Sequence, residues 1–309
     1  ASPPTPICSG QNFHEPVYKD LPPEPDGSSY GPGDLKTMAH LAADARDVLA
    51  DGQVVGRAML GVLKADVDNL GQLFRFGLKD NRSIGRLVAL SRTMDAFFTG
   101  RLPRLLEDER FADTYTVYAG GDDLLLIGPW RQMLELAGRL RTEFAAYSGG
   151  NPSLTLSAGI ELVDAREPLN RSADRAEALL EQAKLAPGKD RVVCLGEVLD
   201  WERDLPWLLG QAEELCCRLR AGTGFSTALA YKLLHFAEQK RQAESGNTQA
   251  AIWRARYQYM LTRQFPQRAN FEREVPFFHA LMGLLPDSAG RLSRQPTRAA
   301  LSIALWRNR

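Results

Sequence analysis

The sequence predicts an α/β (α+β) fold in which helices flank a β-sheet, followed by a small all-helical domain. Up to Trp201, short apolar segments rich in β-branched and aromatic residues alternate with longer segments of helical periodicity. Beyond Trp201 no segment has the pattern of a strand, whereas the helical periodicity continues. A chain of 309 residues is long enough for two domains with separate cores.

Residues 1–55 are predicted to form a linker or irregular arm with one helix. Most of the local proline, glycine and serine lies within residues 1–34, which is typical of an arm without regular structure. Asp34 is a favourable N-cap residue in front of an amphipathic segment. We therefore expect a helix over Leu35–Leu49, ending before Asp51 and Gly52.

The next two elements are a buried strand and a long helix. The segment Ala58–Ala65 is nearly all apolar, which suits a central strand that is covered on both faces. Asp66 follows this strand. The helix is expected over Ser83–Leu106, and its apolar positions at helical spacing predict a core-facing stripe. These positions are Ile84, Leu87, Val88, Leu90, Met94, Phe97 and Phe98.

The segment Tyr115–Ile127 predicts a β-hairpin around Gly-Gly-Asp-Asp. Two short apolar runs flank Gly120 and Gly121, and glycine adopts the positive φ of a tight turn without steric cost. Asp122 and Asp123 are then expected at the tip of the hairpin or at the start of its second strand. On the tetrapeptide alone, an ordinary turn with solvated acids is an equal alternative.

The remaining segments complete the order β-α-β-β-α-β-α-β. The predicted elements are the helix Arg131–Tyr147, the strand Leu154–Val163, the helix Ser172–Lys184 and the strand Arg191–Leu195. The first six elements match the ferredoxin-like, split-βαβ arrangement of nucleotide-polymerising palm domains. We expect residues 56–205 to form this palm, nucleotidyl-cyclase-like domain and residues 206–309 to form the helical domain.

The composition favours no class of partner. There are 38 basic and 38 acidic residues, although residues 251–309 carry ten arginines, no lysine and three acids. That basic region permits RNA or an acidic partner, and a solvated helical surface is the alternative. Four cysteines without CxxC spacing, and no apolar run of about 18 residues, predict a cytoplasmic protein that does not interact with a membrane.

Three carboxylates are expected to converge at one end of the sheet. In the split-βαβ topology the first strand lies beside the central hairpin, so Asp66 approaches Asp122 and Asp123. Such convergence is unfavourable without cations, and hard oxygen ligands favour Mg²⁺ or Mn²⁺. We predict that these three residues are catalytic and hold two divalent ions. The alternative for Asp66 is a helix N-cap.

Nearby groups are predicted to bind the phosphates of a nucleotide. Backbone N–H groups in the turn after the first strand can cradle phosphate, and two lysines around a Pro-Gly turn can supply positive charge. The expected nucleotide-binding residues are Val67, Asp68, Asn69, Gly71, Gly120, Gly121, Lys184 and Lys189. Each lysine taken singly is better explained as a surface residue, whereas the two together in a palm domain favour a phosphate-binding role.

The sequence resembles the large, polymerase-like subunit of type III-A CRISPR–Cas effector complexes, specifically its second palm domain and the helical domain that follows. The resemblance covers roughly residues 56–205. It is carried, in the order of that family, by LGVLKADVDNLGQLF, LSRTMDAFF, VYAGGDDLLLIGPW, NPSLTLSAGI, AEALLEQAK, PGKDRV and LDW. The helical region matches mainly by its position and type.

The resemblance implies an activity and partners. In that family the GGDD palm converts ATP into cyclic oligoadenylates, and target RNA bound by the complex with its CRISPR RNA switches synthesis on. The acidic metal site of the family maps to Asp66, Asp122 and Asp123. Other effector subunits, CRISPR RNA and target RNA are the expected partners.

Two departures from the family limit the prediction for this chain. No HD-type His-Asp pair opens the sequence, and only one palm is found where two normally hold two ATP molecules. We therefore expect a fragment, half of a split subunit, or a protein that finds its second palm in another chain.

Two other functions fit the same sequence. The first is a diguanylate cyclase of the GGDEF type, although Asp123-Leu124 stands here where the usual signature has Glu-Phe. The second is a catalytically silent scaffold subunit of an RNA complex, which the arginine-rich tail would suit.

Overall fold

The computed structural model describes residues 5–7, 15–18, 21, 33–77, 83–222, 224–286 and 294–309. The chain divides into two compact units, Ala1–Arg203 and Asp204–Arg309. The first unit is built on β-strands. They are β1 (Asp47–Val48), β2 (Val54–Val55), β3 (Leu60–Val67), β4 (Tyr115–Gly120), β5 (Asp123–Pro129), β6 (Leu156–Val163), β7 (Arg191–Cys194) and β8 (Glu197–Asp200).

A six-stranded mixed sheet in the order β4-β5-β3-β6-β7-β8 forms the centre of the first unit. Strand β3 pairs antiparallel with both β5 and β6, and β6 pairs parallel with β7. The order of the first four strands confirms the predicted ferredoxin-like, split-βαβ topology. Strand β8 was not predicted, because the two-residue turn before it has positive φ at Leu195 as well as at Gly196, and leucine rarely adopts that conformation.

Helices cover both faces of this sheet. They are α1 (Glu15–Tyr18), α2 (Met38–Asp44), α3 (Leu70–Gln72), α4 (Ile84–Ala96), α5 (Leu102–Leu106), α6 (Trp130–Tyr147) and α7 (Leu169–Leu185), with π-helical turns at Leu73–Gly77 and Phe97–Arg101. Helix α6 contacts β3, β5 and β6, while α7 contacts β3, β6 and β7.

The two helices lie on opposite faces of the sheet, because side chains alternate along each strand. A Cβ atom on Gly61 would lie 2.7 Å from Met133 of α6. A Cβ atom on Gly159 would lie only 2.3 Å from the carbonyl oxygen of Ala176 in α7. Gly159 is paired with Lys64 of β3 and points to the same face of the sheet as Lys64. Lys64 is three residues from Gly61, so the two point to opposite faces, and α7 packs closely on the face opposite to α6.

The predicted helix Leu35–Leu49 is wrong at both ends. Helix α2 begins at Met38 because the Thr37 side chain accepts a hydrogen bond from the His40 N–H and caps the helix. It ends at Asp44, because Asp47 and Val48 pair with Val54 and Val55 in a short β-ribbon. The valines of this ribbon favour the extended conformation, and strand pairing outweighs the helical pattern of the segment.

The predicted apolar stripe of the long helix is buried only in its C-terminal part. Met94, Phe97 and Phe98 are buried, whereas Ile84 is 82% exposed and Val88 is 43% exposed. The helix is also not uniform, because the π-helical turn separates α4 from α5. The core prediction was wrong for Ile84 and Val88 because no described element covers this part of α4.

The second unit is helical in every regular element that the structure describes. It contains α8 (Asp204–Ala221), α9 (Thr227–Glu244), a 3₁₀ turn (Thr248–Ile252), α10 (Trp253–Gln264), α11 (Arg268–Leu281) and α12 (Thr297–Arg307). Helix α12 packs against α8 and α9. Within the described residues of the whole chain, none of the helices has the length and apolar character needed to cross a membrane.

Candidate active site

The Gly-Gly-Asp-Asp segment forms a tight hairpin between β4 and β5. Gly120 pairs with Asp123, and Gly121 has a φ of +68°, which glycine adopts readily. The Val67 N–H donates a hydrogen bond of 2.9 Å to the Asp122 carbonyl oxygen, which joins the tip of the hairpin to the end of β3. The predicted hairpin and its position beside the first strand are therefore confirmed.

Asp66 and Asp123 lie directly opposite each other on β3 and β5. Opposite residues of an antiparallel pair point to the same face and have closely spaced side chains. Asp66 was expected after the strand, but β3 extends to Val67 and includes it. Its backbone is therefore held by pairing on both sides, with Asp123 on β5 and Ser157 on β6.

The Asp66 carboxylate is paired with a lysine. Lys184, near the end of α7, places its Nζ atom 3.1 Å from Asp66 Oδ2. Burial raises the pKa of Asp66, Lys184 lowers it, and the negative charges of Asp122 and Asp123 raise it again, so the pKa lies above its ordinary value. Burial lowers the pKa of Lys184, but the hydrogen bonds and charges of Asp66 and Glu181 together outweigh burial and raise it.

These groups line a cleft of about 570 Å³ at the end of β3. Seven of the predicted site residues line it. The structure thus brings together the end of β3 with the turn after it, the tip of the hairpin, and the end of α7 with the loop after it. These residues are Asp66, Val67, Asn69, Gly71, Asp122, Lys184 and Lys189. Asp68, Gly120, Gly121 and Asp123 are not among its lining residues.

The Asp68 side chain is buried and fully engaged elsewhere. It is 1% exposed, and its carboxylate accepts hydrogen bonds from Thr155 Oγ1 at 2.8 Å and Ser157 Oγ at 2.9 Å. It also accepts one from the Asp190 backbone N–H at 3.2 Å. The Asp68 carboxylate therefore ties the end of β3 to β6 and to the loop before β7.

That loop carries Lys189 in a strained conformation. Gly188, Lys189 and Asp190 all have positive φ, and this is uncommon for the last two residues. Arg141 of α6 holds Asp190 with two parallel hydrogen bonds of 2.6 and 2.7 Å. Together with Asp68, this ion pair fixes the loop that presents Lys189 to the cleft.

Sequence reasoning missed three residues of this region. Gln72 and Arg75 line the cleft, and Arg75 adds a third cationic side chain to it. Asp95 of α4 accepts a hydrogen bond from the Gly121 N–H at 3.4 Å. Arg75 lies four residues after Gly71 and three after Gln72, which is the spacing of neighbours on a helix surface, so Gln72 and Arg75 had a signal in the sequence.

The donor chemistry of the cleft fits a hard divalent cation. In the described part of the chain, no group of three or more His, Cys, Asp or Glu side chains is arranged to hold a metal ion. Asp66 and Asp123 nevertheless provide a facing pair of carboxylates. Because the charges of Asp122 and Asp123 raise the pKa of Asp66, a cation between them would relieve a repulsion that exists in this structure. The three-carboxylate cluster stays a prediction.

Comparison with known proteins points to one family. The model of the Cas10/Cmr2 second palm domain matches residues 59–193. A CRISPR system single-strand-specific deoxyribonuclease Cas10/Csm1 (subtype III-A) from Methanocaldococcus jannaschii is 40% identical over 139 residues, which is 42% of this chain and 17% of that protein. The protein of the same description from Thermococcus onnurineus is 36% identical over 211 residues, or 59% of this chain and 26% of that protein.

Solved structures of Csm1 are similar across nearly the whole chain. The Csm1–Csm4 cassette in complex with cA4 has a TM-score of 0.63 and 26% identity, and covers 93% of this chain and 39% of that chain. The cassette in complex with AMPPNP has a TM-score of 0.63 and 27% identity, with coverages of 90% and 38%. The chain thus spans 17 to 26% of the two curated relatives and less than half of these structural neighbours.

Proposed function

We propose that this chain, whose residues 59–193 match the model of the Cas10/Cmr2 second palm domain, is the polymerase-like part of a type III CRISPR RNA-guided effector complex. In this proposal it converts ATP into cyclic oligoadenylates by metal-dependent nucleotidyl transfer when target RNA is bound. Residues 56–205 are the palm domain of that subunit, and residues 206–309 are its helical domain.

The cleft at the end of β3 is the observation that carries the proposal. It combines two acidic side chains, Asp66 and Asp122, with three basic ones, Arg75, Lys184 and Lys189. A nucleoside triphosphate matches this combination, because its phosphates need cationic donors while the metal ions that accompany them need carboxylates. The ligands AMPPNP and cA4 in the neighbouring Csm1–Csm4 structures support a nucleotide of this kind.

Each group of the cleft has a separate task in the proposed reaction. Lys184, Lys189 and Arg75 bind the triphosphate, and the turn at Asn69–Gly71 offers backbone N–H groups to the same phosphates. The carboxylates of Asp66, Asp122 and Asp123 would hold Mg²⁺ or Mn²⁺. When bound there, such ions lower the pKa of an attacking ribose hydroxyl and stabilise the leaving pyrophosphate.

The proposed activity needs partners. The family normally places two palms face to face, so a second palm from another chain, or from a longer form of this subunit, completes the site. The neighbouring structures are complexes of Csm1 with Csm4, which supports an assembly with other type III subunits. CRISPR RNA and target RNA enter the proposal as the ligands that switch synthesis on.

Product analysis tests the proposed function. The complex that contains this chain is incubated with ATP or with GTP and Mn²⁺, with and without target RNA, and the products are separated by chromatography. We expect cyclic oligoadenylates from ATP only when target RNA is bound. Cyclic di-GMP from GTP would instead support a diguanylate cyclase. The absence of any nucleotide product, with the complex assembled and target RNA bound, would support a scaffold role.

A further inference from the structure

The charged side chains of helix α10 in the second unit are all basic. Its twelve residues include Arg254, Arg256 and Arg263 and no acidic residue, and all three arginines are exposed. Exposed cations without acids in the same helix produce a positive potential toward the solvent.

Arginines on other helices of this unit form ion pairs, which distinguishes them from the arginines of α10. Arg218 of α8, Arg241 of α9 and Arg268 of α11 each lie within 4.0 Å of a glutamate carboxylate. In the part of the chain that the structure describes, the three arginines of α10 have no such partner. Lys232 of α9 has none either. Within the described residues of the unit, these four positive charges therefore have no carboxylate within 4.0 Å.

Two of the four cations line a groove together with an exposed aromatic ring. The groove has a volume of about 390 Å³ and is lined by Lys232, Tyr259, Met260, Arg263 and Gln264. Tyr259 is 65% exposed, and the Arg263 guanidinium lies 5.9 Å from the centre of its ring. We call this the Tyr259 groove.

We infer that the Tyr259 groove binds single-stranded RNA. Lys232 and Arg263 contact the phosphates, and a base stacks on the ring of Tyr259, which is the combination found in proteins that bind single strands without strong sequence preference. An acidic peptide would satisfy the cations but would make no use of the exposed ring. The choice of RNA rests on the proposed function, which places the chain in an RNA-guided complex.

The contribution of the ring is tested by RNA binding to the full chain. Fluorescence polarisation with a labelled single-stranded RNA of about 12 nucleotides measures the affinity. Tyr259→Ala is expected to weaken binding on the order of tenfold, because it removes the stacking surface. Tyr259→Phe keeps the ring and should retain affinity. Tyr231→Ala is the matched control, since Tyr231 is 43% exposed and does not line the groove.

The cations are tested by salt dependence in the same assay. The double variant K232A/R263A should weaken RNA binding and lower the slope of log affinity against log salt by roughly 0.7 for each charge removed. Arg241→Ala is the matched control, because Arg241 is paired with Glu238 and should leave the slope unchanged.

Three results would overturn the inference. The first is unchanged RNA affinity in Tyr259→Ala and K232A/R263A. The second is an equal loss of RNA affinity in the controls Tyr231→Ala and Arg241→Ala. The third is competition by polyglutamate that is as effective as competition by unlabelled RNA. The last result would indicate a protein partner. Failure here is distinguishable from failure of the proposed function. RNA binding that depends on Tyr259 without oligoadenylate synthesis refutes only the synthesis, and synthesis without such binding refutes only the groove.

Discussion

Lys184 Nζ lies 3.1 Å from Asp66 Oδ2, where the end of α7 meets the end of β3. The lysine therefore neutralises one carboxylate of a site at which Asp122 and Asp123 add further negative charge. Neither side chain is more than a quarter exposed, so water screens the pair only partly. The ion pair connects α7 to Asp66. Lys184 is itself a predicted phosphate-binding residue, and the proposed reaction needs Asp66 ionised.

Replacing Lys184 should shift the acid limb of the pH–activity profile. The proposed reaction requires the ionised form of Asp66, which exists above the pKa of this carboxyl group. Lys184→Met removes the cation that lowers this pKa, while burial and the two neighbouring aspartates continue to raise it. We expect the acid limb of kcat/KM for oligoadenylate synthesis to move to higher pH.

Lys189→Met is the control for this prediction. Lys189 lines the same cleft but is not among the groups that shift the pKa of Asp66. It should weaken ATP binding without moving the acid limb, and Lys184→Arg should leave the limb in place. An acid limb at the same pH in Lys184→Met and the parent protein would contradict the assigned pairing.

The same ion pair predicts how stability depends on pH. The pKa of folded Asp66 lies above its ordinary value of 3.8, so the native state binds this proton more tightly than the unfolded state does. The contribution of Asp66 to the free energy of unfolding therefore falls as pH rises from 3.8 through the folded pKa. In Lys184→Met this fall should extend to higher pH. Urea unfolding over a pH series measures it, and identical curves would contradict the prediction.

Asp68→Asn should lower stability and weaken ATP binding together. Thr155, Ser157 and the Asp190 backbone all donate hydrogen bonds to the two carboxylate oxygens of Asp68. Asparagine offers only one acceptor oxygen, so at least one of these donors loses its partner in a buried position. Loss of a buried hydrogen-bond partner costs about 1–3 kcal/mol in the free energy of unfolding. Because Asp190 follows Lys189, the loop should also loosen, which raises KM for ATP more than it lowers kcat.

A double-mutant cycle separates this positioning role from a general loss of stability. If Asp68 acts through Lys189, the KM effect of Asp68→Asn should be much smaller in a Lys189→Met background. Full additivity of the two effects would show that Asp68 does not act through this lysine. Asp174→Asn is the matched control for stability, because Asp174 is exposed and should change neither unfolding nor KM.

Gly159→Ala should displace α7 and with it Lys184. The new Cβ atom would lie 2.3 Å from the Ala176 carbonyl oxygen and 2.4 Å from the Leu180 nitrogen, and both are helix backbone atoms that cannot rotate away. Overpacking of this kind costs about 1–3 kcal/mol in the free energy of unfolding. Gly85→Ala is the matched control, since no atom lies within 4 Å of its added Cβ and the residue is helical. Equal unfolding midpoints for the two variants would contradict the close approach.

The topology and most of the site could be predicted from sequence because they depend on local patterns. The apolar run of β3 and the glycines of the hairpin act within a few residues, and the strand order then places Asp66 beside Asp123. Helical periodicity identified the face that carries Ile84 and Val88, but it does not report whether another element covers that face. Both residues are exposed for that reason.

The role of Asp68 could not be read from the sequence. Its neighbours Val67 and Asn69 line the cleft, and only the tertiary structure shows that its own carboxylate points toward Thr155 and Ser157, nearly ninety residues later in the chain. The support of Lys189 by Arg141 and Asp190 is equally non-local. Such contacts depend on how α6, β6 and the loop before β7 meet, which no short motif encodes.

The most direct measurement compares target-dependent oligoadenylate synthesis in complexes with the parent chain and with D122A/D123A. Asp122 lines the cleft and Asp123 faces Asp66, so their loss should abolish synthesis. Asp122 lies in the turn and Asp123 is the first residue of β5, so assembly measured by size-exclusion chromatography should be unchanged. We predict an assembled complex without product. Persistent synthesis of cyclic oligoadenylates by the D122A/D123A complex would contradict the assignment of this hairpin as the catalytic centre.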